Sequence, residues 1–268
     1  MAPGLTWLSA LMLLPCLLIF VLAFFERGIY GGVDWNAATL ENFRRAADPL
    51  YVSIFLDSAR IAGLSTLIAL LIGYPAAYAI SKAKHQTALL FLAMLPFWTN
   101  YLIRTYAWIV LLNPVGLINA GLKNLGVISE PLPLLYNEFA VILGLVYSYT
   151  PFVILAIYSA LQRLDQSFVE ASRDLGAGAW TTFRRITLPL TAAGVTAGAV
   201  FVFVLSIGNF VTPDLLGGGK FQMIGNLIYD QFLSARDWPF GATLSGLLIA
   251  LMMALLFAQA TRARRAHV

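Results

Sequence analysis

The sequence of 268 residues is 60% hydrophobic and only 11% charged, against about 25% charged residues in soluble domains, which excludes an ordinary water-soluble fold. Its formal charge of +4 does not indicate nucleic-acid binding, because the lysines and arginines are scattered between apolar runs instead of lining one face. The single cysteine, Cys16, excludes an intrachain disulfide framework.

Six apolar stretches, each bounded by charges, prolines or glycines, are predicted to cross the membrane as helices, since about 20 apolar residues span the hydrocarbon. They cover 5–25, 57–80, 88–112, 138–160, 188–212 and 240–260. The first is predicted to remain an uncleaved helix, because no basic segment precedes it as in a signal peptide. The fold class is therefore an all-α integral membrane protein with six transmembrane helices.

The second and third spans carry the charges that lie nearest the membrane interior. Asp57 and Arg60 stand three residues apart on the second span, a spacing that predicts an ion pair. Arg104 lies in the third span, where insertion of a cation costs about 2.5–3.5 kcal/mol, so it is expected to face the bundle interior or a wet cavity. Its aromatic neighbours either hold an ammonium group or anchor the helix at the interface: Trp98, Tyr101, Tyr106 and Trp108.

The loop over 161–187, between the fourth and fifth spans, is predicted to form two short helices outside the bilayer. Asp165 is a cap for the first helix, and Gly176 a left-handed stop after it. Spacing of three gives the second helix one apolar edge, formed by Trp180, Phe183 and Ile186. That edge fits either the lipid surface or a groove on a cytoplasmic protein.

The fifth span and its outer end contain further candidate residues. Gly194 and Gly198 form a GxxxG pattern, which allows close packing within the chain or on a second membrane chain. Asn209, near the outer end, has an amide that can bind a solute. Outer-side carboxylates are expected to line the entrance or to dock a binding protein: Asp214, Asp230 and Asp237.

The charge distribution predicts that both termini are cytoplasmic. In that orientation the inner segments hold nine lysines and arginines and the longer outer segments hold six. Cytoplasmic loops are enriched in basic residues, so the positive-inside rule favours this arrangement.

A spaced pattern in the 161–187 loop resembles a known motif. The sequence Glu170-Ala171-Ser172, three residues, Gly176, nine residues, then Ile186-Thr187-Leu188-Pro189 is similar to the EAA loop of ABC importer permeases, with serine for alanine at position 172. We call residues 170–189 the EAA segment.

The resemblance implies a type I importer permease fold in which the EAA segment forms coupling helices against an ATPase subunit. The implied coupling residues are Glu170, Ala171, Asp174, Gly176, Trp180, Phe183, Ile186, Leu188 and Pro189. It implies a bacterial inner-membrane, multi-pass protein with one permease domain over 1–268: a first helix over 5–25, a core over 51–260 and the coupling loop over 161–187. The implied partners are two ATP-binding subunits, a second permease chain and an extracytoplasmic solute-binding protein.

The sequence lacks the residue patterns of a nucleotide-binding or metal-binding site. It has no G-x-x-x-x-G-K-[S/T] loop, so ATP and magnesium are expected in the partner ATPase and no cofactor here. The two histidines, His85 and His267, lie in basic margins and do not provide a metal site. We therefore predict a non-catalytic membrane subunit.

Further segments resemble the spermidine/putrescine branch of these permeases, among them Leu95-Pro96-Phe97-Trp98-Thr99-Asn100-Tyr101 and Val211-Thr212-Pro213-Asp214. The resemblance implies polyamine import, with other small solutes of the branch, such as an amino-acid derivative or a phosphonate, as the alternative. The candidate substrate path comprises Trp98, Asn100, Tyr101, Arg104, Tyr149, Asn209 and Asp230. An ATP-independent channel or secondary transporter and a membrane scaffold remain the rival classes.

Overall fold

The computed structural model describes residues 2–265, which form helices and one short hairpin. The helices are α1 (Ala2–Leu22), α2 (Glu41–Ala46), α3 (Pro49–Lys82), α4 (Gln86–Trp98), α5 (Tyr101–Leu112), α6 (Leu117–Asn124), α7 (Glu138–Gln162), α8 (Gln166–Asp174), α9 (Ala179–Thr182), α10 (Leu188–Leu190), α11 (Ala192–Ile207), α12 (Val211–Gly217), α13 (Ile224–Leu233) and α14 (Trp238–Arg265). A π-helical turn, Phe183–Thr187, joins α9 to α10, and the strands are β1 (Phe25–Arg27) and β2 (Val33–Ala38). Met1 and residues 266–268, including His267 and the predicted cytoplasmic C-terminus, lie outside the described residues.

Within residues 2–265, four stretches are long and apolar enough to cross a bilayer: Pro49–Lys82, Tyr101–Asn124, Glu138–Gln162 and Trp238–Thr261. A fifth is added if the pair Ala179–Leu190 and Ala192–Ile207, bent by 63°, is a single span. The helical membrane fold is therefore confirmed. The predicted span 5–25 and the first part of the predicted span 88–112 correspond to shorter apolar helices, Ser9–Leu22 and Gln86–Trp98.

The prediction of one continuous helix over 88–112 is wrong, because the chain breaks at residues 99 and 100. Thr99 is extended, and Asn100 starts α5 by accepting hydrogen bonds from the backbone N–H groups of Leu102 (2.9 Å) and Ile103 (3.4 Å). The carbonyl of Pro96 loses its helical partner and is bonded instead by Thr99 Oγ1 (2.8 Å) and the Arg104 guanidinium. Side chains therefore satisfy the backbone groups that the break leaves without helical partners.

The fifth predicted span, 188–212, also differs from the structure. Its long helix, α11, begins only after the bend at Thr191 and ends at Ile207, because Gly208 and Asn209 leave the helical path before α12. The span is thus a bent stretch followed by a short separate helix.

The hairpin of β1 and β2 was not predicted, since its strands are too short for an alternating pattern to stand out. The strands are antiparallel, and positive φ angles at Gly31 (91°) and Gly32 (78°) close the turn. The hairpin is fixed to the chain before α14, because Gly32 N–H donates to the Arg236 carbonyl (2.8 Å) and the Arg27 guanidinium donates to the Ala235 carbonyl (2.7 Å).

The centre of the bundle is formed by α3, α7 and α11, which pack on one another along their lengths. Their contact includes the fully buried side chains of Ala69, Ala77, Val153, Ile157 and Val202. Lipid tails are as apolar as these side chains, so close van der Waals packing, more than a hydrophobic force, holds such helices together.

The GxxxG pattern of α11 serves packing inside the chain. A Cβ atom on Gly194 would lie 2.5 Å from Ala160 Cβ and 2.8 Å from the Ala156 carbonyl oxygen, and one on Gly198 would lie 3.3 Å from Ala156 Cβ. These contacts favour the first of the two alternatives that the sequence left open. The glycines let α11 approach the backbone of α7.

Two ion pairs join elements at the end of the bundle that carries the hairpin. Arg60 contacts Asp57 (3.7 Å), which confirms the predicted pair, and also Glu138 of α7 (2.8 Å). Asp237 is buried, binds Arg45 Nη1 (2.7 Å) and accepts from the Phe240 N–H (3.2 Å). The expectation that Asp237 lines an entrance or docks a protein is therefore corrected, since its carboxylate ties α2 to the start of α14.

Burial acts to lower the pKa of Arg45, but hydrogen bonds to Asp237 and Tyr51 outweigh it and raise the pKa. Arg45 also lies over the Phe240 ring, 3.9 Å from its centroid. The guanidinium is therefore charged at any working pH.

Gly194→Ala is expected to lower the stability of the purified protein by about 1–3 kcal/mol, because the added methyl group forces α11 away from the α7 backbone. Gly63→Ala on α3 is the matched control, since nothing lies within 4 Å of its added Cβ. Thermal unfolding of both variants in one detergent checks the prediction, and equal midpoints would contradict it.

Candidate functional site

The first helix of the 161–187 loop, α8, has the ends that its sequence predicts. Asp165 Oδ1 accepts from the Ser167 N–H (2.9 Å) at the start of α8, and the hydrogen bonds to Ser167 hold the pKa of that carboxyl below its usual value. Gly176 has φ +81°, and its N–H donates to the Arg173 carbonyl while the Ala177 N–H donates to that of Ser172. This pair of bonds is a Schellman ending, so both the cap and the left-handed stop are confirmed.

The second part of the 161–187 loop differs from the prediction of one helix with a single apolar edge. Only α9, four residues long, is α-helical before the chain widens into the π-helical turn, which shifts the side-chain spacing. Trp180 is 71% exposed, whereas Phe183 points inward and meets Tyr74 (5.5 Å between ring centroids) and Tyr78 (5.8 Å). Of the three residues of the predicted edge, only Trp180 is therefore fully open to a partner, because Phe183 is half-buried and faces α3.

An aromatic row thus runs from the surface of the loop to the central helix α3. Trp180 stacks on Phe183 with 5.6 Å between centroids and 25° between planes, and Phe183 packs edge to face on Tyr74. The Tyr74 hydroxyl in turn bonds Thr191 Oγ1 (2.9 Å) at the bend before α11. A force on Trp180 would therefore reach α3 and the α10–α11 bend through direct contacts.

The remaining predicted coupling residues lie on the surface of the loop, apart from Ile186, which is half-buried. Those that are exposed are Glu170, Ala171, Asp174, Gly176, Leu188 and Pro189. Ser172, the residue that departs from the EAA pattern, bonds Thr182 Oγ1 (3.0 Å) and so joins α8 to α9. The alanine of the motif could not form this bond.

A second group of polar side chains lies inside the bundle, next to the break between α4 and α5. We call it the interior polar site; it comprises Tyr101, Tyr149, Asn209 and Thr212. Asn209 Nδ2 donates to the hydroxyls of Tyr149 (2.7 Å) and Tyr101 (2.8 Å), and its Oδ1 accepts from the Thr212 N–H (2.9 Å). The Tyr101 hydroxyl also hydrogen-bonds Thr212 Oγ1.

The interior polar site brings together three of the seven residues of the predicted substrate path. Thr212 was missed, although it lies in a segment that carried the family resemblance. Three other members of the predicted path lie elsewhere. Trp98 is exposed and its ring packs on Phe91, Asn100 caps α5, and Asp230 accepts a hydrogen bond from Gln222 (3.3 Å). None of the described hydrogen bonds joins those three side chains to the site.

Arg104 is buried, as predicted, with 8% of its surface exposed. Its guanidinium lies over the rings of Tyr101 (5.4 Å) and Tyr147 (5.9 Å), and no carboxylate of the described residues pairs with it. Nε is buried without a hydrogen-bond partner among those residues. Arg104 therefore supports the helix break and the ring of Tyr101 from behind the interior polar site.

The sequence matches the family model described as a binding-protein-dependent transport system inner membrane component over residues 3–266. The chain belongs to this family. It is a non-catalytic, multi-pass inner-membrane permease of an ABC importer, which requires a separate ATPase and a binding protein. Membership removes the ATP-independent transporter and the membrane scaffold from the alternatives.

Among the relatives of this permease are two named spermidine/putrescine transport system permease protein PotB. The protein of Haemophilus influenzae is 43% identical over 256 residues, covering 94% of this chain and 88% of the relative. That of Escherichia coli K12 is 42% identical over 261 residues, covering 97% and 94%. The chain therefore aligns with both along almost the whole length.

The fold of the permease is similar to that of a solved bacterial ABC transporter involved in the import of the acidic polysaccharide alginate. The TM-score is 0.78 at 16% identity, with 98% of this chain and 93% of the other covered. At that identity the likeness extends to the fold alone.

Asn209→Leu is expected to destabilise the permease by about 1–3 kcal/mol, because it leaves the hydroxyl of Tyr149 without its partner in a partly buried site. Thr196→Leu on α11 is the control: Thr196 is exposed and its hydroxyl bonds only the nearby Ala193 carbonyl (3.1 Å), so its stability is expected to stay near that of the wild type. Thermal unfolding of the two variants checks this, and equal loss of stability in both would refute the hydrogen-bond account.

Proposed function

We propose that this chain forms one half of the membrane pore of an importer for polyamines of the spermidine and putrescine class. The main support is the sequence identity of 42–43% to spermidine/putrescine permeases, which extends over nearly the whole length of this chain and of each relative. Identity at that level, without long unmatched regions, favours a common solute class as well as a common fold.

The proposed arrangement has six spans in one membrane domain over 1–268, with both termini cytoplasmic. The first span is α1, and the third is α4 together with α5, which cross the membrane as a broken pair. The excess of lysine and arginine in the segments that would face the cytoplasm supports this orientation. A second, related permease chain completes the pore.

The EAA segment is proposed to receive the force of ATP binding and hydrolysis. Trp180 is a large, rigid and exposed aromatic side chain on a loop whose backbone is held by the Asp165 cap and the Gly176 ending, which suits an anchor in a groove. Movement of the anchor is transmitted through Phe183 to Tyr74 on α3. The permease then alternates between outward and inward states with different affinities for the solute.

The interior polar site is proposed to contact the solute during passage. Hydroxyl and amide oxygens accept hydrogen bonds from ammonium groups, and aromatic faces attract them by cation–π interaction. The four residues of the site carry no carboxylate, so binding there is weaker than at an acidic site. Weak binding suits a group that must release the solute after one half-cycle.

A second candidate solute is supported by one observation: the cation nearest to the site, Arg104, is buried and has no acidic partner among the described residues. A positive charge behind Tyr101 repels a polyamine and attracts an anion or a dipole. Another small solute of the same branch, such as a phosphonate or an amino-acid derivative, is therefore the alternative.

Uptake into proteoliposomes decides between these solutes. The permease pair, its ATPase and its binding protein are reconstituted together, and radiolabelled spermidine, putrescine, a phosphonate and an amino-acid derivative are compared with ATP inside and outside. ATP-dependent accumulation of spermidine or putrescine is the expected result. Accumulation of only the phosphonate or the amino-acid derivative would overturn the polyamine assignment and leave the permease assignment in place.

Trp180→Ala is expected to weaken binding of the ATPase subunit roughly 30-fold, the effect of removing an interface anchor worth about 2 kcal/mol. Trp98→Ala is the matched control, because Trp98 is also 71% exposed but lies outside the EAA segment. Co-purification from detergent and titration of the isolated ATPase measure the effect. If both variants retain the ATPase equally, Trp180 is not the anchor.

A further inference from the structure

A cavity of about 450 Å³ lies under the EAA segment, between the loop and the ends of the central helices. Its walls come from α3, α4, α7, α8, α9 and the π-helical turn. Small-molecule sites in proteins typically occupy 300–1,000 Å³, so this cavity can hold a compact polar group. Phe183 of the aromatic row forms part of the lining, whereas Trp180 and the four residues of the interior polar site do not.

The charges that line this cavity are all of one sign. Lys82, at the end of α3, and Arg173, on α8, are its two ionised side chains, and none of the described lining residues is acidic. Two cations that share a concave wall create a positive potential there, which raises the local concentration of anions.

Both cations have free hydrogen-bond donors. The Lys82 ammonium donates to Gln166 Oε1 (3.1 Å) and has two further donors, and the Arg173 guanidinium makes no hydrogen bond or ion pair with a described residue. Guanidinium and ammonium groups together bind phosphate oxygens strongly, the former through its planar fork.

The polar groups beside the cations are already ordered. Gln86 Oε1 accepts from Tyr158 Oη (2.8 Å) and Gln162 Nε2 (2.9 Å), and Gln86 Nε2 donates to the Ser81 carbonyl (3.0 Å). These bonds fix the junction of α3 and α4 against α7. A ligand in the cavity therefore meets an ordered wall formed by α3, α4 and α7 on one side and α8 on the other.

From these contacts we infer that the cavity binds a phosphate-bearing anion, through Lys82 and Arg173, and thereby braces α8 against α3. The inference rests on the proposed function only in assigning this face to the cytoplasm. Basic pockets between membrane helices on that side suit anionic lipid headgroups, and the same chemistry suits a soluble phosphate ester.

Binding is measured on the delipidated complex of the full permease with its ATPase, in detergent. The probes are dioctanoyl phosphatidylglycerol, dioctanoyl phosphatidylcholine and glycerol 3-phosphate. The first or the third is expected to bind, and Lys82→Gln with Arg173→Gln is expected to weaken that binding at least tenfold. Tighter binding of the phosphatidylglycerol identifies a lipid as the source, and equal or tighter binding of glycerol 3-phosphate identifies a soluble ester.

The matched control is Lys84→Gln with Arg163→Gln, which removes the same charge from residues outside the cavity lining. It should change binding less than twofold, whereas Lys82→Arg with Arg173→Lys should retain it. Failure of both anionic probes to bind the wild type, phosphatidylcholine binding as tightly as they do, or equal losses in the two glutamine pairs would overturn the inference.

Solute-stimulated ATP hydrolysis, measured on the same preparations after addition of the binding protein, separates this inference from the proposed function. Spermidine stimulation without anion binding rejects the cavity site alone. Anion binding that depends on Lys82 and Arg173, without spermidine stimulation, rejects the polyamine assignment alone and supports the site. Lys82 and Arg173 are both exposed, so the glutamine variants are expected to fold, and their elution on size exclusion checks it.

Discussion

Inside a bilayer no water is available to satisfy a backbone carbonyl, and each break in a helix must therefore find its hydrogen bonds within the protein. In the proposed broken span formed by α4 and α5, the gap at residues 99 and 100 meets this constraint. Thr99 and Arg104 supply donors for the Pro96 carbonyl, while Asn100 supplies an acceptor for the first N–H groups of α5. The break then turns Tyr101 toward Asn209, so the interior polar site exists because the interruption is satisfied.

Close approach of backbones provides the framework around that site. Where α11 meets α7, Gly194 and Gly198 remove the Cβ atoms that would hold the helices apart, and Gly73 of α3 does the same beneath Val153, where an added Cβ would lie 2.7 Å from Val153 Cγ1. Helices packed in this way move as units, since small displacements would create overlaps or voids. The connection from α9 to α11 is, by contrast, bent and partly π-helical.

Local signals could be predicted from the sequence, and contacts between distant segments could not. The Asp165 cap, the Gly176 ending and the burial of Arg104 depend on a residue and its near neighbours, or on the cost of charge in lipid. Fixed spacing likewise identified the EAA segment. By contrast, the inward orientation of Phe183 depends on Tyr74, over a hundred residues earlier in the chain. The hydrogen bond of Ser172 likewise depends on the position of Thr182 in α9. The interior polar site joins residues 101, 149, 209 and 212, and no period in the sequence relates them.

The hairpin and its neighbours also bear on how the chain is made. Asn42 Nδ2 donates to the carbonyls of Ala23 (3.1 Å) and Phe25 (2.8 Å), α1 packs on α14, and the hairpin and α2 are bonded to residues 235–237. During synthesis at about 5–20 residues per second, α1 waits roughly 10–40 s for α14 to leave the ribosome. For that interval the early helix and hairpin lack their main partners. The contacts that fix α1, the hairpin and α2 therefore form only at the end of synthesis, when the last helix is in place.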